Sequence, residues 1–179
     1  MAVLMSRREG DSLIVKHHYP LADKIFALIR IAIGWTFLWA FIDKTFGLGF
    51  TTASNQAWVD GISPTRNFLE FETSGPFADL FQGLAGQAWV DWLFMVGILG
   101  VGLALILGIG MKIAAITGAV LLALMYLAAF QPADNPVTDH HLIYALVLGA
   151  LALSDAGDTW GFGTAWKRTN LVHRFPFLV

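Results

Sequence analysis

Apolar positions along this chain come in long blocks rather than in alternation. From Leu93 to Leu107, and again from Ile113 to Phe130, almost every residue is apolar. The only charge inside that stretch is Lys112, in the turn Gly108-Ile109-Gly110-Met111-Lys112. Each block, with its flanking residues, has about the 17 to 25 residues that a helix needs to cross a bilayer core, and the turn is short enough to allow only an antiparallel hairpin. Helices that are apolar on every face have no place in a small water-soluble domain. A further block, Ile25 to Ile42, ends in Asp43-Lys44, and a shorter one, Leu142 to Leu153, follows Asp139-His140-His141. The pattern predicts an all-α membrane protein, a four-transmembrane-helix antiparallel bundle with spans at about 25–43, 90–108, 112–130 and 139–155, forming one domain over residues 1–179.

The connecting segments have their own pattern. Residues 1–24 are polar and lack a short apolar core before a small-residue cleavage site, so the first apolar helix is expected to act as the insertion signal and stay in place. His17-His18 lies in this lead-in and is read as solvated and interfacial. Between residues 46 and 88 no run reaches membrane length, yet apolar content stays high. Ser63-Pro64 combines a helix-capping residue with proline at the first helical position. Phe77, Leu80, Phe81 and Leu84 fall at i, i+3, i+4 and i+7, one face of a helix. Short amphipathic helices are therefore expected in this first extracytoplasmic loop, lying flat on the bilayer rather than folded over the bundle as a lid. Small residues at Gly97, Gly100, Ala115, Ala119, Ala145 and Gly149 are expected to allow close helix contacts.

Charge sets the orientation. With both termini cytoplasmic, eight of the eleven Lys and Arg residues lie inside, and only Lys44 and Arg66 lie outside. That agrees with the rule that basic residues concentrate on the cytoplasmic side. The formal net charge of −2 gives no reason to expect a nucleic-acid partner. The chain has no cysteine, which excludes disulfides, thiolate metal sites, iron–sulfur clusters held by the chain itself and c-type haem attachment. The lipid bilayer is the first expected partner, and homo-oligomers are compatible with so small a bundle.

Two groups of polar residues remain inside this apolar frame. Arg30 lies within the first span, where an unpaired charge is expensive. The up-down topology brings it level with Asp155 and Asp158, so a structural ion pair is expected, Asp155 first. At the other end, the helix termini gather Asp43, Lys44, Asp91, Tyr126, Asp139, His140 and His141, and the loop contributes Trp58, Asp60 and Arg66. His140 and Tyr144 share a helix face, while His141 points about 100° away. This is the candidate site, with His140, His141 and Asp139 as catalytic candidates. Substrate-binding candidates are Lys44, Arg66, Asp43, Asp91, Trp58 and Tyr144. Three readings stay open: polar residues capping short helices at the interface, a proton-coupled redox site facing a quinone, and a metal site. The last is disfavoured because adjacent histidines diverge on a helix and no His-x-x-x-His spacing is present.

The chain resembles the DoxX/DoxD-like membrane protein family, which includes the membrane subunits of thiosulfate:quinone oxidoreductases. Carrying the resemblance are Arg30 with Gly34, Asp43-Lys44, Trp58-Val59-Asp60-Gly61-Ile62-Ser63-Pro64-Thr65 and the glycine-containing hairpin turn. To these are added Asp139-His140-His141 and Asp155-Ala156-Gly157-Asp158-Thr159-Trp160-Gly161, so the likeness extends over about residues 25–161. It implies oxidation of thiosulfate to tetrathionate on the outer side and passage of electrons to a membrane quinone. Lys44 or Arg66 would attract the dianion, His140 or Tyr144 would protonate a quinone oxygen, and Asp139 would orient a histidine. No flavin or haem motif is recognisable, so a partner redox subunit is implied. A non-catalytic scaffold for a respiratory or oxidoreductase complex is the alternative, and a small transporter a third.

Overall fold

The computed structural model describes residues 20–130, 135 and 137–179. Arg7, Arg8, Lys16 and His17-His18 lie outside the described residues. The described chain is helical throughout, and three of its helices are long and apolar enough to cross a membrane. Helix α1 (Pro20–Phe46) has 27 residues, about 40 Å at 1.5 Å per residue. It starts five residues before the expected Ile25, because proline fits the first turn of a helix, where its missing N–H goes unused. A five-residue helix, α2 (Ala78–Gln82), lies in the long loop. Helices α3 (Ala88–Leu107) and α4 (Met111–Ala128) form the expected hairpin. Their turn depends on two left-handed glycines, Gly108 (φ 71°) and Gly110 (φ 59°), a conformation that a side chain at either position would strain. Helix α5 (His140–Leu153) has 14 residues, about 21 Å long, shorter than a hydrocarbon core. The short helices α6 (Gly163–Lys167) and α7 (Asn170–Arg174) follow.

Helix α1 packs along α3, and α4 along α5; the α3–α4 hairpin joins the two pairs, and α1 touches α5 over a short stretch. Phe37, Met95, Ile98, Val101, Leu105 and Leu148 fill the shared core. Outward faces are just as apolar. Leu21, Ile25, Leu28 and Trp35 form a stripe on α1, Leu93, Val96 and Leu103 one on α3, and Ile143, Leu146 and Leu153 one on α5. Water does not tolerate continuous apolar stripes of that extent on a monomer, whereas lipid does.

Of the small residues expected at helix contacts, Gly97 faces Leu121 (a Cβ there would lie 3.3 Å from Cδ1) and Ala115 is buried in the core, but the tightest contacts fall on other glycines. A Cβ on Gly102 would sit 2.8 Å from the Leu38 backbone nitrogen, and one on Gly34 would sit 2.9 Å from Leu105 Cβ. Gly118 of α4 meets the Leu148 side chain in the same way. Gly100 and Gly149 face open space. Spacing alone does not say which side of an all-apolar helix faces its neighbour.

Arg30 is fully buried, but its partners correct the expected ion pair. Nη1 donates to the carbonyls of Leu105 and Ile106, the latter at 2.9 Å. Nη2 donates to those of Thr159 (3.2 Å) and Trp160 (3.0 Å). The depth was anticipated and the partner loop too, but backbone oxygens replace the carboxylate. The last turn of α3 carries orphan carbonyls, and satisfying them avoids burying a second charge. Asp155 instead turns out to Lys167, whose Nζ donates to Asp155 at 2.7 Å and to Asp158 at 2.8 Å. Burial alone would lower the Lys167 pKa, but these two carboxylates outweigh it and hold the group above the ordinary lysine value. The turn around Arg30 is tight: Phe162 N–H donates to Leu107 O at 2.8 Å, and Gly161 lies where a Cβ would meet Arg30 and Leu107.

Candidate functional site

The opposite end of the bundle holds the candidate site, and its geometry starts from one cap. Asp139 is extended (φ −130°, ψ −177°) and its Oδ1 accepts the N–H of Leu142 at 3.1 Å, closing the first turn of α5. Aspartate is among the preferred residues at this position because it satisfies an orphan N–H and its charge suits the helix N-terminus. Just upstream, Tyr126 Oη donates to Val137 O at 2.8 Å and ties the incoming segment to α4. With Oδ1 used, Oδ2 is left to accept from His141 Nδ1 at 2.5 Å. That bond assigns the proton to Nδ1 and leaves Nε2 as the acceptor nitrogen.

His141 is 8% exposed, whereas His140 lies at the surface. The two rings do not diverge as expected: their centroids are 4.0 Å apart and inclined by 34°. Cβ vectors separate by about 100° along a helix, but at the first helical position the χ angles bring the rings back together. Tyr144 stands edge-on to His140 at 6.1 Å, on the shared face predicted from i, i+4 spacing. Asp139, His140, His141 and Tyr144 are thus one cluster.

The remaining candidates are engaged elsewhere. Asp43 is fully buried; its Oδ2 accepts from Thr51 N (2.9 Å), Thr51 Oγ1 (2.8 Å) and Thr52 N (2.9 Å). Asp91 accepts from Ser63 Oγ at 2.8 Å and Thr65 Oγ1 at 2.6 Å, so Ser63 ties the loop to α3 rather than capping a helix. Arg66 is exposed and donates to Glu70 at 2.8 Å, a bond that raises its pKa. Trp58 packs edge-on against Trp92 at 4.7 Å. Lys44 is half-buried in the field of Asp43 and Glu72. No described hydrogen bond or ion pair joins any of these to the histidine cluster.

The two carboxylates do have a shared purpose. With Ser74, whose N–H donates to Ala128 O at 2.8 Å, they fasten the loop to the ends of α1, α3 and α4. The loop is therefore tied to the bundle end at three points. Phe77 and Leu80 stay exposed on it. Thr51 and Thr52 were not singled out from sequence; a hydroxyl pair just after a Gly-x-Gly turn was the available signal. Asp43→Ala leaves two loop N–H groups unpaired at a buried site, at about 1–3 kcal/mol each. The expected result is a lower melting temperature, with new proteolytic cleavage confined to residues 47–53.

Scans against protein-family models, curated proteins and solved structures each return no match to this chain.

Proposed function

We propose that this chain is a DoxX/DoxD-like integral membrane subunit with a proton-handling site at its extracytoplasmic rim, serving electron transfer from a sulfur anion such as thiosulfate to a membrane quinone. In this reading α5 is a fourth span, both termini are cytoplasmic and the membrane is the cell membrane. The single observation that carries the proposal is the Asp139–His141 pair: a buried imidazole whose tautomer is fixed by a carboxylate, leaving one nitrogen free to exchange a proton.

The overall reaction converts two thiosulfate ions, a quinone and two protons into tetrathionate and a quinol. Quinone reduction consumes protons, and His141 with the exposed His140 provides the relay. Lys44 is the cation assigned to attract the anion: it stands half-buried at the end of α1, whereas Arg66 is bound to Glu70 at the surface. Electrons arrive through a partner subunit, since the chain has no cysteine and no flavin or haem motif.

A scaffold reading has its own support. Asp43 and Asp91 are spent on fastening the loop, and that loop presents Phe71, Phe77 and Leu80 to the outside, a surface suited to docking a protein. The complex that co-purifies with the chain, assayed with decylubiquinone and thiosulfate, separates the two. Quinone reduction that falls in Lys44→Ala and His140→Ala by about 10²-fold or more supports the enzyme. A complex that assembles equally with both variants and whose turnover they leave unchanged supports the scaffold.

A further inference from the structure

Holding a proton takes one imidazole, yet this site presents two, side by side, with a carboxylate. We propose that His140 and His141, the latter oriented by Asp139, bind a divalent transition-metal ion of the zinc or copper kind. The proposal rests on the preceding reading only for what the ion serves, not for its geometry.

One ligand atom from each of the three residues lies within 4.8 Å of the others. An ion with bonds of about 2.0–2.2 Å holds two donors roughly 3.5 Å apart, so the His140 ring, its centroid 4.0 Å from that of His141, has to turn one nitrogen toward the side of His141 Nε2. His140 supplies that movement: it is exposed and stands at the first position of α5. His141 needs none. Its Nδ1–H is held by Asp139 at 2.5 Å, which leaves the Nε2 lone pair for a metal. A carboxylate that orients a metal-binding histidine through its second nitrogen is a recurrent arrangement, and it strengthens the imidazole as a ligand.

Donor chemistry selects the ion. Imidazole nitrogens favour zinc, copper and nickel over calcium and magnesium, which prefer all-oxygen shells. The carboxylate charge offsets the positive end of the α5 dipole, which would otherwise repel a cation. With Asp139 holding His141 Nδ1–H, two protein nitrogens face the ion, so coordination positions stay open, as in catalytic rather than structural sites. An anion with a sulfur or oxygen donor is the ligand class that suits the open position.

The test uses the full chain in detergent, stripped with EDTA and titrated with Cu²⁺ followed by electron paramagnetic resonance, and with Zn²⁺ by calorimetry. One ion per chain is expected, with superhyperfine splitting from two nitrogens. His140→Ala leaves the buried pair intact and is expected to weaken binding at least tenfold; Asp139→Asn weakens it about tenfold by losing the orienting charge. His17→Ala, His18→Ala and His173→Ala leave binding unchanged. Substoichiometric binding, or binding unaffected by His140→Ala, overturns the site. Quinone reduction by metal-free protein that binds no ion would sink the metal site and spare the quinone reading. A bound ion without turnover would do the reverse.

Discussion

Arg30→Met is expected to lower the melting temperature of the detergent-solubilised protein by about 10 °C. The guanidinium reaches four carbonyls on two separate segments, the C-terminal turn of α3 and the loop after α5, from a fully buried position on α1. Methionine matches much of its length but donates nothing, so those oxygens lose their partner where no solvent replaces it. Each buried acceptor left without a donor costs about 1–3 kcal/mol, so the loss over these carbonyls is about 3–5 kcal/mol, and each kcal/mol moves the midpoint by about 2–4 °C in a chain of this size. Arg30→Lys recovers only part of the loss, because a compact ammonium cannot span two segments as the planar fork does. Asp155→Ala is the decisive comparison. An Arg30–Asp155 ion pair would make the two substitutions similarly harmful. The observed bonds place Asp155 on Lys167 instead, largely exposed, where its loss is worth no more than about 1 kcal/mol. Equal shifts in a thermal-melt series would contradict the carbonyl clamp.

That comparison also shows what the sequence made readable. Blocks of apolar residues locate helices because a membrane-length apolar run has one stable backbone solution in lipid, and α3, α4 and their turn appear where the blocks predicted. Asp139 was placed at the head of the fourth helix by residue type. Arg30 was assigned its depth by counting residues and its neighbours by topology. Its bonding partners escaped, because backbone carbonyls exist at every position and leave no mark in composition. The same limit applied to Asp43 and Asp91. They were grouped with the site as charges at one level, yet both are fixed by hydroxyls and N–H groups whose direction depends on how the loop is tied to the bundle end. His140 and His141 were expected to diverge because spacing reports Cβ directions, not the side-chain torsions that bring two rings within 4.0 Å.

Gly102→Val is expected to separate α1 from α3 and, with Arg30→Met, to be among the most damaging single substitutions in the chain. A Cβ at this position would lie 2.8 Å from the Leu38 nitrogen and 3.1 Å from its Cα. Both are backbone atoms of a packed helix, so no side chain can move aside to make room. Overpacking a well-filled contact is worth about 1–3 kcal/mol when neighbours relax; against backbone, the loss sits at the upper end of that range or beyond it. Gly34 makes the reciprocal approach from α1, about one turn before Leu38 on the same seam, its missing Cβ facing Leu105 and Ile106. Opening the seam at Gly102 therefore also strains the Arg30 clamp, which bonds those two residues' carbonyls. Gly100→Val supplies the control: it adds the same side chain on the same helix, two residues away, into open space. In lipid the added methyl groups meet acyl chains rather than water, and the melting temperature should stay within about 2 °C of the parent, given a shift below about 0.5 kcal/mol. Valine is a better helix former than glycine, so propensity cannot account for a loss at either position; if both valines destabilise alike, the α1–α3 contact does not set the outcome and the seam is not what holds this pair together.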